Sequence, residues 1–451
     1  MSAAGFSLDR DLRGPPSEAL RARSVYWLLG FVLFQMACQV ALLSGAFAEV
    51  RVVVRTAAFA TSLALLMFLG GPRLATPSAR AGGVALAVVG LSILNPGTVG
   101  LVAGIADAAL YLAILGPIFW VPRISIDLRS FRHVLLALWS FHAVSACFGA
   151  LQVYFPGEFQ PALASGIESD YAESLRITLA NGERVFRPMG LTDTPGGVGI
   201  SGFYSVLLGV GFLLDKTRWW FRLILLFGMF AGMFALYLCQ VRSLVVMLVV
   251  CVVSIGALLG SQGRLRTLSV SAFALVSVAI GAFVVATSVA GVGVTDRLAS
   301  LLEDDPGQLY YAHRGMFLES TITDLLPRYP LGAGLGRWGM IFGYFGGNST
   351  EDGGPIWVEI QWTGWLLDGG LPLIVAYVAA IAAALWFAFR VATRRVAAAV
   401  DGLWLWGIVL VGYDLGALAL TFNYPLFVSS MGLEFWLLNA ALFTAASAAP
   451  P

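Results

Sequence analysis

The sequence predicts an all-α, polytopic integral membrane protein. Of its 451 residues, 59% are hydrophobic and only 12% are charged, and the mean hydropathy is +0.83. A soluble domain carries roughly a quarter charged residues. Apolar runs near the ~20 residues needed to cross a hydrocarbon core recur along the whole chain. The net charge of +1 leaves no basic footprint for a nucleic-acid partner.

Residues 1–23 are polar, carry Arg10, Arg13, Arg21 and Arg23, and are interrupted by Gly14-Pro15-Pro16, which reads as a cytoplasmic N-terminal segment. The first apolar run, 24–48, is too long for a signal-peptide core and reads as a retained span. Further runs follow at 52–70, 82–97, 99–120, 132–154, 196–214, 219–239, 244–260, 267–291, 370–389, 402–421 and 425–446. That predicts about twelve spans in a single membrane domain, 24–446, with a short tail at 447–451. Only Asn95-Pro96-Gly97 separates the third run from the fourth.

The loops set the orientation. With the N-terminus inside, 17 of the 27 basic residues fall in short cytoplasmic segments, and most of the others lie in two long outer loops, about 155–195 and 292–369. Long loops weigh little in the positive-inside rule, so the prediction is N-in and C-in, with the working loops outside. All basic residues except Lys216 are arginine. Cys38, Cys147, Cys239 and Cys251 lie in or beside apolar runs and read as small hydrophobic fillers, not as disulfide or metal ligands.

The second outer loop cannot sit in lipid. Residues 311–326 read as an amphipathic helix with Met316, Ile322 and Leu325 on one side. Pro330 ends it, and Gly332, Gly334 and Gly336 permit a tight turn. The first loop enters the sixth span through RVFRPMGLTDTPGGVGI, with Arg184 and Arg187 three apart, and a very short turn, Cys239 to Ser243, sets Arg242 at the rim. Arginine suits phosphate because its planar fork donates paired hydrogen bonds and keeps its charge. Arg187, Arg242, Arg314 and Arg337, with Arg184 and Arg328 beside them, therefore suggest a phosphate or pyrophosphate head on a lipid tail. The alternative is pairing with loop carboxylates or lipid head groups.

Other features read more plainly. Glu303-Asp304-Asp305 and Glu351-Asp352 lie in polar loops and read as solvated turns. Asp107, His142, Asp414 and Glu434 fall inside spans, where a charge is costly, and read as helix-to-helix partners. Trp120, Trp219, Trp220, Trp357 and Trp362 sit near span ends as interfacial anchors, with sugar stacking an alternative role for Trp338 or Trp357. No cofactor motif and no internal repeat is present.

CQVRS at 239–243, HRGMFLES at 313–320, RYPLGAGLGRWG at 328–339 and GGLPLIVAY at 369–377 together resemble the O-antigen ligase/polymerase (Wzy/WaaL-type) superfamily. The shared block places Arg314, Pro330, Gly332, Gly334, Gly336 and Gly370, and the resemblance covers about 240–377, the rest by topology alone. It implies a GT-C-like, inverting, metal-independent glycosyltransferase of the bacterial inner membrane that takes its glycan from undecaprenyl pyrophosphate. It implies that Arg242 and Arg314, joined by Arg187 and Arg337, bind the pyrophosphate, and it names flippase and chain-length regulator proteins as candidate partners. Ligases of the family carry a histidine where this chain has Glu359, so the candidate general bases are Glu359 and His313. The expected function is polymerisation of lipid-linked repeat units. The rival readings are ligase-type transfer to another acceptor and, in a different class, a lipid-linked oligosaccharide transporter.

Overall fold

In the computed structural model the described residues are 18–44, 47, 49–70, 74–160, 176–192, 194, 196–215, 217–299, 305–346, 355–393 and 402–448. Every apolar run folds as a helix: α1 (Glu18–Leu43), α2 (Arg51–Phe68), α3 (Ala79–Ser92), α4 (Leu101–Leu115), α5 (Leu128–Tyr154), α6 (Val198–Leu214), α7 (Trp219–Cys239), α8 (Arg242–Ser261), α9 (Leu265–Ala290), α10 (Gln361–Ala392), α11 (Leu403–Leu420) and α12 (Ser430–Ser447). Among the described residues eight helices are long and apolar enough to cross a membrane, or nine if α4 and the bent continuation Pro117–Arg123 form one span. Helices α3 and α6 are shorter. Helix α12 is buried along most of its length, so its neighbours and not lipid are its solvent. The chain is thus a multi-pass, helical membrane protein.

Small residues set the closest packings, as they do where lipid offers no hydrophobic drive between helices. Cβ atoms built on Gly202 of α6 and Gly232 of α7 would lie 2.4 and 2.8 Å from the facing carbonyl oxygens of Gly232 and Gly202. Helix α9 buries little beyond Ala282, Ala286 and Ala290, one stripe at i, i+4, i+8 that packs on α7. Helix α10 packs on both α3 and α11, and α8 on α11.

Arginines lock the end of the bundle opposite the long loops. Arg123 Nη1 donates to the carbonyls of Leu66 (2.7 Å) and Leu69 (2.9 Å), satisfying acceptors at the end of α2. Arg264 lies 3.8 Å from the centroid of the Trp404 ring. Arg132 on α5 donates from Nη2 to Asp215 Oδ1 (2.8 Å), with Nε 2.7 Å from Oδ2, tying α5 to the end of α6. Arg132→Ala is expected to cost ~1–2 kcal/mol and lower the melting midpoint by a few degrees, because it leaves a carboxylate that is mostly covered. A thermal shift assay in detergent checks it, with Asp215→Ala predicted to match.

The aromatic anchors divide. Trp219 and Trp220 are exposed, as an interfacial role requires. Trp120 is fully buried and donates to Ser62 Oγ (3.2 Å), so the anchor reading is corrected there: the bend after α4 turns its indole inward. The cysteines are free, three buried and Cys147 partly so.

Candidate functional site

The glycine run Pro330–Gly336 folds back into the bundle and fills a break in α10. Gly370 adopts φ +65° and ψ −159°, and Pro372 follows, so α10 is two helical segments in tandem. The backbone groups freed there are taken up by the loop: Leu371 N–H donates to Pro330 O (3.0 Å) and Ala333 N–H to Leu367 O (2.7 Å). Irregular backbone is tolerated at membrane depth only when such partners exist. From the other side the α3–α4 turn grips the same loop. Asn95 Nδ2 donates to Gly332 O (2.9 Å), Leu335 N–H to Thr98 Oγ1 (3.1 Å), and Val99 N–H to Leu335 O (3.2 Å). The short Asn95-Pro96-Gly97 break in the sequence is therefore the seat of the glycine loop.

Two intramembrane carboxylates complete the clamp. Gly336 N–H donates to Asp107 Oδ2 (3.0 Å). Asp368 Oδ1 accepts from Trp338 Nε1 (2.8 Å) and its Oδ2 from the Tyr111 hydroxyl (2.6 Å). Trp338 is buried, so its ring is structural and the sugar-stacking reading for it is corrected. Sequence reasoning missed Asp368; the signal was a carboxylate in an apolar run directly before Gly369-Gly370.

Beyond Trp338 the chain returns as an extended segment. Ile356 N–H donates to Arg337 O (3.0 Å). Side chains then alternate, as extended backbone requires. Ile356 and Val358 pack on the Ala333–Trp338–Leu367 cluster, while Trp357 and Glu359 occupy the other face. Trp357 Nε1 donates to Glu359 Oε1 (2.7 Å), and the residue is 56% exposed. Trp362 serves elsewhere, donating to Thr421 Oγ1 (3.2 Å).

Arg314 meets Glu359 from a helical rod. The chain is helical from Pro306 to Arg328, but Tyr311–Gly315 and Thr321–Leu325 are π turns, which recur at functional sites. Each π turn shifts the register, so the inward stripe is not the one the 3.6-residue period predicts. Of the expected stripe, Met316 and Ile322 are exposed and only Leu325 packs on the Ala333–Trp338–Leu367 cluster, whereas Gly315 and Thr321 are buried, and Thr321 bonds Thr363 at the head of α10 (Oγ1 to Oγ1, 2.6 Å). This places Arg314 Nη1 2.9 Å from Glu359 Oε2, with Arg314 Nε donating to Asn423 O (3.2 Å) in the α11–α12 turn. The candidate base and a candidate pyrophosphate ligand are thus an ion pair. The pair is about a third exposed on the Arg314 side, so it contributes ~1 kcal/mol or less to stability. Burial raises the Tyr310 hydroxyl above its ordinary range while Arg314 lowers it, and the hydrogen bond to Glu319 raises Tyr311. Both phenols stay protonated at neutral pH, and neither is a base.

Arg187 and Arg242 gather at a second turn of the same end. Gln152 of α5 accepts from Met189 N–H and Gly190 N–H (both 2.8 Å), fixing the backbone after Arg187. A Cβ built on Gly196 would lie 3.8 Å from Arg187 Cδ and 3.6 Å from Val241 Cγ2, so Arg187 stands beside the α7–α8 turn that bears Arg242. Gln240 in that turn holds a left-handed φ of 54°. A strained residue of this kind marks a site where backbone geometry is imposed. The first long loop also reaches the helix leading into the second: Ala180 N–H, in the turn of the hairpin Arg176–Thr178/Arg184–Phe186, donates to Val289 O (2.9 Å).

The structure therefore groups Arg314, Glu359 and Arg337 around one extended segment, and Arg187 and Arg242 around one turn. The side chains of His313 and Arg297, and residues Glu303, Asp304, Glu351 and Asp352, lie outside the described residues. Asp305 accepts from Gly307 N–H (2.9 Å), a helix cap. Two other span residues pair between helices as expected: His142 Nδ1 with Ser201 Oγ (3.3 Å) and Asp414 Oδ1 with Asn439 Nδ2 (2.8 Å). Glu434 departs from that expectation, since its Oε2 is buried with no hydrogen-bond partner among the described residues.

An apolar groove of about 670 Å³ runs between α3 and α10, lined by Val84, Val88, Val375 and Ala379, and ends against Pro330 and Leu331 of the glycine loop. The fold defines a polytopic helical membrane protein with arginines and one paired carboxylate gathered at one end. Sequence comparison adds nothing to that class, since no family model and no curated protein matches the chain.

Proposed function

We propose that this protein is an integral-membrane, metal-independent inverting glycosyltransferase that polymerises polyprenyl-pyrophosphate-linked repeat units into O-antigen, capsule or exopolysaccharide. In this reading the chain crosses the bacterial inner membrane about twelve times in a GT-C-like fold, both termini are cytoplasmic, and the site faces outward. The observation that carries it is the Arg314–Glu359–Trp357 cluster: a carboxylate held by a cation and an indole, beside Arg337, on the loop that abuts an apolar groove. A lipid-linked donor needs this combination, with apolar lining for its tail and fixed positive charge for its head.

The chemistry follows from the side chains. The acceptor hydroxyl oxygen attacks the anomeric carbon of the donor as the bond from that carbon to the phosphate oxygen breaks, and the configuration inverts. The bonding pair leaves with the pyrophosphate, whose growing charge is met by Arg314 and Arg337, and by Arg187 and Arg242 from the neighbouring turn. Glu359 takes the acceptor proton. Each of its oxygens has a second lone pair beyond those engaged by Arg314 and Trp357, so the pairing leaves it able to act. His313, one residue before Arg314, is the other base to be tested.

The test is polysaccharide output in a deletion host carrying Arg242→Ala, Arg187→Ala or Glu359→Gln, with membrane protein level measured for each. The expected result is stable protein, polymer reduced ~100-fold, and accumulation of a single lipid-linked repeat unit. Normal polymer from all three variants would overturn the assignment and favour the transporter. Long polymer left on its carrier would identify a ligase.

A further inference from the structure

Arg337 sits in a loop that is held from both sides. The residue before it, Gly336, gives its N–H to Asp107, and the residue after it, Trp338, gives its indole N–H to Asp368. Asp107 belongs to α4 and Asp368 to the first segment of α10; they are 4% and 0% exposed. Tyr111, one turn beyond Asp107 on α4, donates to Asp368, so the two clamps share one network. Arg337's own carbonyl then holds Ile356, and through it the extended segment that presents Trp357 and Glu359. A carboxylate inside a membrane bundle is costly. Helix pairing alone would be served by neutral amides or hydroxyls, and among the described residues neither carboxylate is paired with a cation.

We propose that Asp107 and Asp368 are positioning residues: as hydrogen-bond acceptors on either flank of Arg337, they fix its guanidinium and the Glu359 segment against the pyrophosphate head of the donor. The inference rests on the glycosyltransferase reading for its last clause only; the clamp on the loop stands on geometry alone. What each clamp needs is an acceptor, and an asparagine carbonyl supplies one where leucine of similar volume does not. Displacing the loop by an ångström is enough to cost ~100-fold in turnover.

Two measurements separate the clamp from the activity. The first uses full-length protein in native membranes with Arg337→Cys as a reporter, labelled by a membrane-impermeant maleimide. Asp107→Leu and Asp368→Leu are each expected to change the labelling rate at least ~10-fold, while Asp107→Asn leaves it within ~3-fold. Unchanged labelling in both leucine variants, with protein present at normal level, would overturn the clamp. The second is a double-mutant cycle on polymer output. If Asp107 acts through Arg337, Asp107→Leu loses ~100-fold in the wild-type background and little more once Arg337 is already alanine. Additive losses would mean that Asp107 does not act through Arg337, and would sink its role in positioning that guanidinium. Labelling that shifts as expected in a protein whose Arg337→Ala variant still makes polymer would leave the clamp intact and remove the glycosyltransferase clause.

Discussion

Replacing Arg314 with alanine is expected to cut polymer formation by ~100-fold or more while leaving membrane protein at its normal level. The two halves of that expectation have separate reasons. The Arg314 side chain is about a third exposed, and its ion pair with Glu359 contributes ~1 kcal/mol or less, so the bundle does not depend on it. Its geometry, however, is doubly determined. Nη1 faces Glu359 at 2.9 Å and Nε donates to Asn423 O at 3.2 Å, which aims the fork from the rod across to the extended segment. A lysine in its place carries one charged nitrogen and cannot make both contacts at that spacing. Arg314→Lys should therefore lose ~10-fold, more than a simple charge requirement would allow. Initial rates of chain extension in isolated membranes, against an immunoblot for protein level, decide it. A lysine variant as active as wild type would show that only charge matters at this position.

Gly334→Ala should instead act on folding. Gly334 sits at φ +102°, and a Cβ there would lie 2.3 Å from both Gly97 C and Thr98 N, which are backbone atoms and cannot swing aside. Strain in the left-handed region and the clash together are expected to cost ~3 kcal/mol or more. The loop would then leave the α3–α4 turn, exposing Asp107 and the backbone groups at the break in α10. The measurable outcome is a sharp fall in membrane-inserted protein, with a lowered melting midpoint in whatever remains. Gly339→Ala offers the contrast: its φ is also positive, at +64°, but nothing lies within 4 Å of the added carbon. That variant pays only the backbone strain, ~1 kcal/mol, and should accumulate well. Equal loss in both variants would remove the close approach to Gly97 as the cause.

Much of this site was legible in the chain as text. Arg314 and the glycine spacing after Pro330 are local signals, each tied to what one residue type does, whereas the sequence starts a span at Gly370 and the structure puts a break there inside a longer helix. What the text could not give was register and partnership. The inward stripe of the rod was misread because two π turns rotate Met316 and Ile322 outward, and such turns leave no mark in a 3.6-residue period. Position along the chain suggests an interfacial anchor at Trp120 and sugar stacking at Trp338, where only packing reveals that both indoles are buried donors. Glu359 and Arg314 were singled out separately; their contact across 45 positions is a property of the fold.

The sequence by itself determined that this is a helical membrane protein, because apolar length and the scarcity of charge act segment by segment through transfer of each run from water to lipid. It also determined where the chain must leave lipid, since Pro330 and the glycines of the loop forbid regular helix. Only the tertiary structure decided what those departures hold on to. Backbone groups released at Gly370, carboxylates on α4 and α10, and the cation on the rod find one another across long stretches of chain. Hydrogen bonds and ion pairs depend on distances of a few ångströms that no run of sequence encodes until the helices have packed.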